Sequence, residues 1–193
     1  MTAEQAAPSA RREELLQLAY QYAVAHGRAD LSLRPIAAAI GSSPRVLLYL
    51  FGSKDGLIRA LLAKARAEEL AMLAGFRHAG AGLAATAELT WSWLADESHR
   101  PLLRLWLDVY CRSLTDPAGP WAGFATGTVR DWLDLLADAQ PPAERHTEAA
   151  LADRTAVLAI LRGALLDLLA TGDTARTSAA VARSLAACRP PAS

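Results

Sequence analysis

Three basic side chains and one phenol between residues 34 and 54 could bind an anion or a nucleic-acid base. Arg34, Arg45 and Lys54 are positively charged. Tyr49 carries a hydroxyl that can donate or accept a hydrogen bond. A guanidinium offers paired donors that match a phosphate or the edge of guanine, whereas an ammonium acts as a compact point charge. These residue types indicate contacts to a polyanion if the surrounding elements leave them in solvent.

The distribution of charge favours the same region. The chain has 20 basic and 20 acidic residues, so its net charge indicates no particular partner. Between Arg28 and Arg66, however, there are seven basic residues and only two acidic ones. From Ala67 onward there are eleven basic residues and fifteen acidic ones. The excess of positive charge in residues 28–66 suggests an anionic partner for this segment, although such an excess is also common on an ordinary solvated surface.

The elements that must position these side chains are short helices. The apolar run Val46 to Phe51 resembles a buried strand in composition. Ser43 and Pro44 before it are a helix-start signal, and Gly52 after it is a helix stop. The punctuation predicts a helix of about two turns rather than a strand.

The preceding segment predicts a second short helix. Ser32 is placed to cap it, and Ile36, Ala37 and Ile40 share its buried face before Gly41 makes a turn. Two short helices joined by a tight turn, with a third helix packed beside them, form a helix-turn-helix. The second helix of that motif enters the major groove of DNA.

The rest of the chain is also helical by its punctuation. We predict helices at 54–75, 83–97, 101–114, 121–138, 143–170 and 174–188, with no β-rich stretch. The expected fold is all-α with about nine helices. An N-terminal domain would cover residues 1–53 and a C-terminal bundle residues 54–193, connected by helix 54–75.

The run LSLRPIAAAIGSSPRVLLYLFGSKDGLI resembles the DNA-binding signature of the tetracycline-repressor (TetR) family of bacterial transcriptional regulators. The similarity extends over roughly residues 10 to 66. Ten residues fall in register with that signature without a gap, namely Ser32, Arg34, Ile36, Ala37, Gly41, Ser43, Phe51, Ser53, Lys54 and Leu57.

The resemblance implies a site on double-stranded operator DNA. By position, Arg34 would reach a base or phosphate, Tyr49 would pack on the sugar-phosphate backbone and Lys54 would grip a phosphate. Leu48 and Leu50 depart from the family pattern, which usually has Tyr and often His at these positions. The DNA-binding residues predicted in this way are Arg34, Ser43, Pro44, Arg45, Val46, Tyr49 and Lys54.

The resemblance also implies a small-molecule effector in the C-terminal bundle. All five tryptophans lie between residues 91 and 132, and such an aromatic cluster suits a planar hydrophobic ligand. Each aromatic residue taken singly is more often an ordinary core residue. The predicted ligand-binding residues are Trp91, His99, Trp106, Tyr110, Trp121 and Phe124.

We predict that the last two helices, 143–170 and 174–188, form the contact between the two subunits of a homodimer. The segment 155–170 is strongly apolar and 174–188 is rich in alanine, so both need packing partners. A monomer core would meet this need equally well. One helix-turn-helix domain alone also buries too little surface for specific DNA binding. This favours a dimer with two such domains.

Catalysis is not indicated. The sequence lacks a nucleophile elbow, a phosphate-binding glycine loop and a zinc-protease motif, and its carboxylates and histidines lack metal-site spacing, so no metal or cofactor is expected. Cys111 and Cys188 are far apart in sequence, and no segment resembles a signal peptide or membrane span. We therefore expect a cytoplasmic, ligand-responsive repressor. The alternative is an all-α small-molecule sensor or protein-interaction module without sequence-specific DNA binding.

Overall fold

The computed structural model describes residues 3–26, 32–76 and 82–187. These ranges contain nine α-helices, one short 3₁₀-helix and no strand, which confirms the predicted all-α fold. The helices are α1 (Ala3–His26), α2 (Leu33–Ala39), α3 (Pro44–Phe51), α4 (Lys54–Phe76), α5 (Leu83–Ala95), α6 (Arg100–Thr115), α7 (Phe124–Asp138), α8 (Glu148–Thr171) and α9 (Thr174–Ala187).

The helices belong to two compact units. The first unit comprises Met1–Glu69 and Pro101–Ala125, and the second comprises Leu70–Arg100 and Thr126–Ser193. Because the first unit includes residues well beyond 53, its packing boundary is not the predicted domain boundary. The division into 1–53 and 54–193 stays a prediction about function.

The core of the first unit joins helices that are distant in sequence. Leu15 of α1, Ile36 of α2, Leu47 of α3 and Leu57 of α4 are almost completely buried in one cluster with Val109 of α6. The predicted buried face of the first short helix is confirmed, because Ile36, Ala37 and Ile40 are all buried, and Leu47 of the second is buried with them. This core fixes the angle between the two short helices.

The second unit is built around α5, α8 and α9, which pack against one another. Leu161 and Leu168 of α8 and Leu185 of α9 are almost completely buried. Two polar links support the packing. The indole N–H of Trp91 donates to the Ser178 hydroxyl at 3.0 Å, and the Arg100 guanidinium donates to the Thr174 hydroxyl at 3.0 Å.

Three predicted helix starts or caps differ from the structure. Helix α8 begins at Glu148 rather than at 143, because residues after Pro141 form turns and the Thr147 hydroxyl caps the helix by accepting from Ala150 N–H. Helix α7 begins at Phe124 rather than at 121. Ser32 stands at the N-cap of α2, but its side chain forms no capping hydrogen bond.

One predicted helix end also differs from the structure. The helix predicted at 83–97 stops at Ala95, because Asp96 turns the chain into the 3₁₀-helix Glu97–His99. The predicted end at 188, with Cys188, lies outside the described residues, and Cys111 is exposed. In the described ranges, no helix is both long enough and apolar enough to cross a membrane, and no group of side chains could hold a metal ion.

Candidate nucleic-acid interface

The turn of the helix-turn-helix is made by Gly41. Its φ of +65° lies in the left-handed region that favours glycine. The turn is closed by a hydrogen bond of 2.8 Å from the Ser42 N–H to the Ala37 carbonyl. This geometry lets the chain turn between α2 and α3 within four residues, so that the two helices pack against each other.

The local sequence explains why α3 is a helix. The Ser43 hydroxyl accepts a hydrogen bond from the Val46 N–H at 3.3 Å, and Pro44 occupies the first turn, where its missing N–H leaves no bond unmade. Gly52, with a φ of +78°, ends the helix. Leu47 and Phe51 lie four residues apart and bury one face against the core.

The opposite face of α3 is exposed. Arg45 and Tyr49 are also four residues apart, on the side away from Leu47 and Phe51, and Tyr49 is 82% exposed. Val46 and Leu48 stand on either side of this pair, 39% and 40% exposed. The face therefore presents one guanidinium and one phenol between two apolar side chains.

The junction between α3 and α4 is unusually close. The Ser53 hydroxyl accepts a hydrogen bond from the Gly56 N–H at 2.9 Å and so caps α4. A Cβ on Gly56 would lie only 1.9 Å from the carbonyl oxygen of Phe51. Only glycine fits there, and the contact fixes the start of α4, where Lys54 is exposed, against the end of α3.

The cations between residues 34 and 64 fall into two groups. Lys64 lies within 4.0 Å of Glu13 and 3.9 Å of Glu68, so its charge is partly compensated. Arg34, Arg45, Lys54 and Arg59 are exposed, and none of them forms an ion pair within the ranges that the structure describes. Four uncompensated positive charges are therefore available to an anion.

The predicted DNA-binding residues are thus brought to one region of the chain, on α2, α3 and the start of α4. Arg34, Arg45, Val46, Tyr49 and Lys54 are exposed. Ser43 and Pro44 are half-buried at the start of α3. Their contact with DNA stays a prediction.

Sequence reasoning missed three residues of this region. Arg59 is an exposed cation on α4, and Leu48 is an exposed apolar residue rather than a mere departure from a pattern. The spacing of three residues between Arg45 and Leu48 was the available signal for Leu48, and the positive charge of Arg59 was the signal for that residue. Gly56 gave no signal, because a close approach of two backbones cannot be read from one sequence.

The aromatic residues of the first unit are partly core. Trp106 and Tyr110 stack with ring centroids 5.0 Å apart. Trp121 is buried in the cluster that contains Val109, and Phe124 packs against that cluster. The buried indole N–H of Trp106 makes no hydrogen bond to any described residue. An acceptor on a ligand could satisfy this donor.

The other two predicted ligand residues belong to the second unit. The His99 ring stacks on Trp93 at 3.9 Å, and a ring nitrogen lies 2.8 Å from the Trp93 carbonyl oxygen. Trp91 is buried and lines a groove of about 450 Å³ between α5 and α9. Asp96 also lines the groove, and hydrogen bonds from Ser98 hold its pKa below its ordinary value. The ligand role of all six aromatic residues stays a prediction.

Comparison with known proteins identifies the fold. No protein-family model matches the sequence, and no curated protein matches it. A crystal structure of a protein designated a TetR-family transcriptional regulator from Rhodococcus sp. superposes with a TM-score of 0.70 at 17% identity, covering 92% of this chain and 98% of that one. The fold of this chain is therefore that of TetR-family regulators.

A second solved structure agrees with the first. The multidrug binding protein EbrR, complexed with imidazole, superposes with a TM-score of 0.66 at 22% identity, and the match covers 95% of this chain and 92% of EbrR. Both matches extend over almost the whole length of each chain. The shared architecture therefore includes the C-terminal helices as well as the helix-turn-helix.

Proposed function

We propose that the chain is a TetR-family transcriptional regulator that acts as a cytoplasmic homodimer, binds a near-palindromic operator and is released by a small hydrophobic effector. It acts by binding rather than by catalysis. The observation that carries this proposal is the exposed face of α3. Arg45 and Tyr49 stand there in solvent opposite the buried Leu47 and Phe51, on the second helix of a helix-turn-helix.

The electrostatics support a DNA partner. Protein surfaces that neutralise phosphates release counterions, and this term supplies most of the sequence-independent affinity for DNA. The four exposed cations between residues 34 and 59, namely Arg34, Arg45, Lys54 and Arg59, have no acidic partner in the described ranges to compete with phosphate. Phosphate contacts by Lys54 and Arg34 would orient the helix-turn-helix on the duplex, and side chains of α3 would contact the bases.

The outer faces of α8 and α9 support a dimer. Along α8 the exposed positions 152, 156, 159, 163, 166 and 170 recur at spacings of three and four, and all are alanine, glycine or leucine. On α9 the exposed Ala175, Ala179, Ala182 and Ala186 form a similar stripe. A continuous apolar stripe on a solvent face calls for a partner helix. A second copy of this chain would bury both stripes and would supply a second helix-turn-helix to the operator.

Sedimentation of a stripe variant tests the dimer. Ala159→Glu places a charge in the centre of the α8 stripe, so we expect it to sediment as a monomer at concentrations where the parent is a dimer. Ala63→Glu, at an exposed alanine of α4, is the control and should leave the dimer intact. A parent that sediments as a monomer at all concentrations would contradict the dimer.

The aromatic residues support a ligand-responsive bundle, as does the shared fold with a multidrug-binding protein. An unpaired buried N–H costs about 1–3 kcal/mol, so a ligand acceptor at Trp106 would recover that energy. We expect Trp106→Phe to weaken release from DNA by an effector found in a compound screen, with unchanged DNA affinity in its absence. Equal release of the variant and the parent would remove Trp106 from the ligand site.

A gel-shift experiment separates this function from a sensor or protein-interaction module. The folded protein, at low salt, is mixed with the intergenic DNA upstream of its own gene and with an unrelated fragment of equal length. A regulator retards the upstream fragment at lower concentration. If neither fragment were retarded at any concentration, the helix-turn-helix would be only structural and the alternative would be favoured.

A further inference from the structure

The exposed face of α3 has very few groups that can hydrogen-bond to a base. The helix reads PRVLLYLF, with one guanidinium, one phenol and no amide, imidazole, carboxylate or aliphatic hydroxyl. Arg45 and Tyr49 form its polar line, while Val46 and Leu48 expose apolar surface on the flanks. With Tyr49 on the sugar-phosphate backbone, as the family resemblance implies, this helix distinguishes bases through one bidentate contact of Arg45 and otherwise only through apolar contacts.

The major groove offers one apolar group to such a helix. Thymine carries a C5-methyl group there, whereas the other edges are told apart by hydrogen-bond donors and acceptors. Resting on the proposed function, we propose that Val46 reads the methyl group of a thymine next to the guanine that Arg45 contacts. Each operator half-site would then contain a guanine next to a thymine. Arg45 would contact the guanine and Val46 the thymine methyl group.

Val46 suits this role better than Leu48. It is the third residue of α3, and the N-terminal residues of a recognition helix are the ones that reach base edges. The Ser43 hydroxyl accepts from the Val46 N–H, which fixes the backbone of this first turn. A β-branched side chain also has few rotamers in a helix, so its methyl groups are held in place before binding.

The first experiment needs no variant. Full-length protein selects its operator from a random DNA library, and each thymine of the selected half-site is then replaced in turn by uracil. Uracil lacks only the methyl group and keeps every hydrogen-bonding edge. We expect one thymine beside the selected guanine at which the replacement lowers affinity about four-fold, the factor for one buried methylene-sized group.

Matched variants assign the effect to a side chain. Val46→Ser removes the aliphatic group, so thymine and uracil should bind equally at that position. Leu48→Ser changes a residue of equal exposure on the other flank and should keep the four-fold difference at that thymine. Circular dichroism checks that both variants fold, which is expected because neither side chain is buried.

The outcomes separate this inference from the proposed function. A selected half-site without thymine beside guanine, or uracil replacements that change no affinity, would overturn the inference and leave the regulator proposal standing. Discrimination that survives Val46→Ser and disappears in Leu48→Ser would overturn the assignment to Val46. A library that yields no enriched sequence would instead contradict the proposed function, and the inference would end with it.

Discussion

Single side chains of the first unit divide the proposed DNA contact into a part that reads sequence and a part that holds phosphate. Arg45 stands on the exposed face of α3, whereas Lys54 stands at the first residue of α4. The backbone N–H groups at a helix start carry partial positive charge, which adds to the ammonium. The two residues should therefore fail in different ways when they are replaced.

Replacement of Lys54 should weaken binding without changing sequence preference. We expect Lys54→Ala to reduce affinity for operator and unrelated DNA by the same factor, and to lower the slope of log affinity against log salt by about one unit. Fluorescence anisotropy at several salt concentrations measures both quantities. Arg130→Ala removes an exposed cation from the second unit and is the control, because its slope should equal that of the parent. An unchanged slope for Lys54→Ala would remove this lysine from the interface.

At the scale of helices, the junction of α3 and α4 depends on one glycine. A Cβ at residue 56 would meet the Phe51 carbonyl oxygen at 1.9 Å, so one of the two helices must move. We expect Gly56→Ala to lower the free energy of unfolding by about 1–3 kcal/mol, the range for overpacked sites, and to reduce DNA affinity because Lys54 shifts with α4. Urea denaturation followed by circular dichroism measures the first effect.

The matched control for Gly56 lies in the same helix. A Cβ at Gly75 meets nothing within 4 Å, and alanine is the better helix former. Gly75→Ala should therefore leave stability unchanged or raise it by up to about 1 kcal/mol. If both variants had the stability of the parent, the close contact at Gly56 would have no energetic meaning.

The pair of helices α8 and α9 is joined by an ion pair whose effect depends on pH. The Arg176 guanidinium donates to both carboxylate oxygens of Asp167, at 2.8 and 2.6 Å, and this holds the pKa of Asp167 below its ordinary value. A carboxyl with a lowered folded-state pKa stabilises the fold above its unfolded pKa. That stabilisation is lost as the pH falls through the folded-state pKa.

The expected result is a stability difference that disappears in acid. Arg176→Gln should lower the melting temperature slightly at pH 7, because the pair is exposed, and the difference should shrink below about pH 4. Scanning calorimetry across that range measures it. Arg183→Gln on the same helix is the control, since Arg183 has no ionic partner in the described ranges. A difference that stays constant with pH would show that neither Asp167 nor Asp173, whose carboxylate lies 3.3 Å from the Arg176 guanidinium, stabilises the fold through this arginine.

At the scale of the whole molecule, the sequence predicted the kind and order of the helices well. The Ser43 cap, Pro44 and the glycines at 41 and 52 are local signals, so the helix-turn-helix was predictable almost to the residue. The start of α8 was missed, because the turns after Pro141 depend on backbone hydrogen bonds rather than on composition. The recruitment of α6 into the first unit was missed because it depends on contacts between distant segments.

In the candidate sites, too, features set by the local sequence could be predicted, and features set by contacts between distant segments could not. The exposed face of α3 could be derived from helical spacing, and the exposures of Arg45 and Tyr49 agree with it. Among the aromatic residues, the spacing of four residues between Trp106 and Tyr110 indicates a shared helix face, and in the structure their rings stack. It could not predict that Trp121 joins a core cluster while the equally buried Trp91 lines a groove, because the surroundings of each ring depend on the helices that pack around it.

The central claim is that the exposed face of α3 reads DNA, and the most direct measurement is the base preference of Arg45→Ala on the selected operator. The parent should prefer guanine at one position of each half-site, and the variant should lose that preference by about 1–3 kcal/mol while keeping the preferences elsewhere. Competition anisotropy with the four bases at that position gives the numbers. A variant with the affinity and the guanine preference of the parent on every probe would contradict the claim.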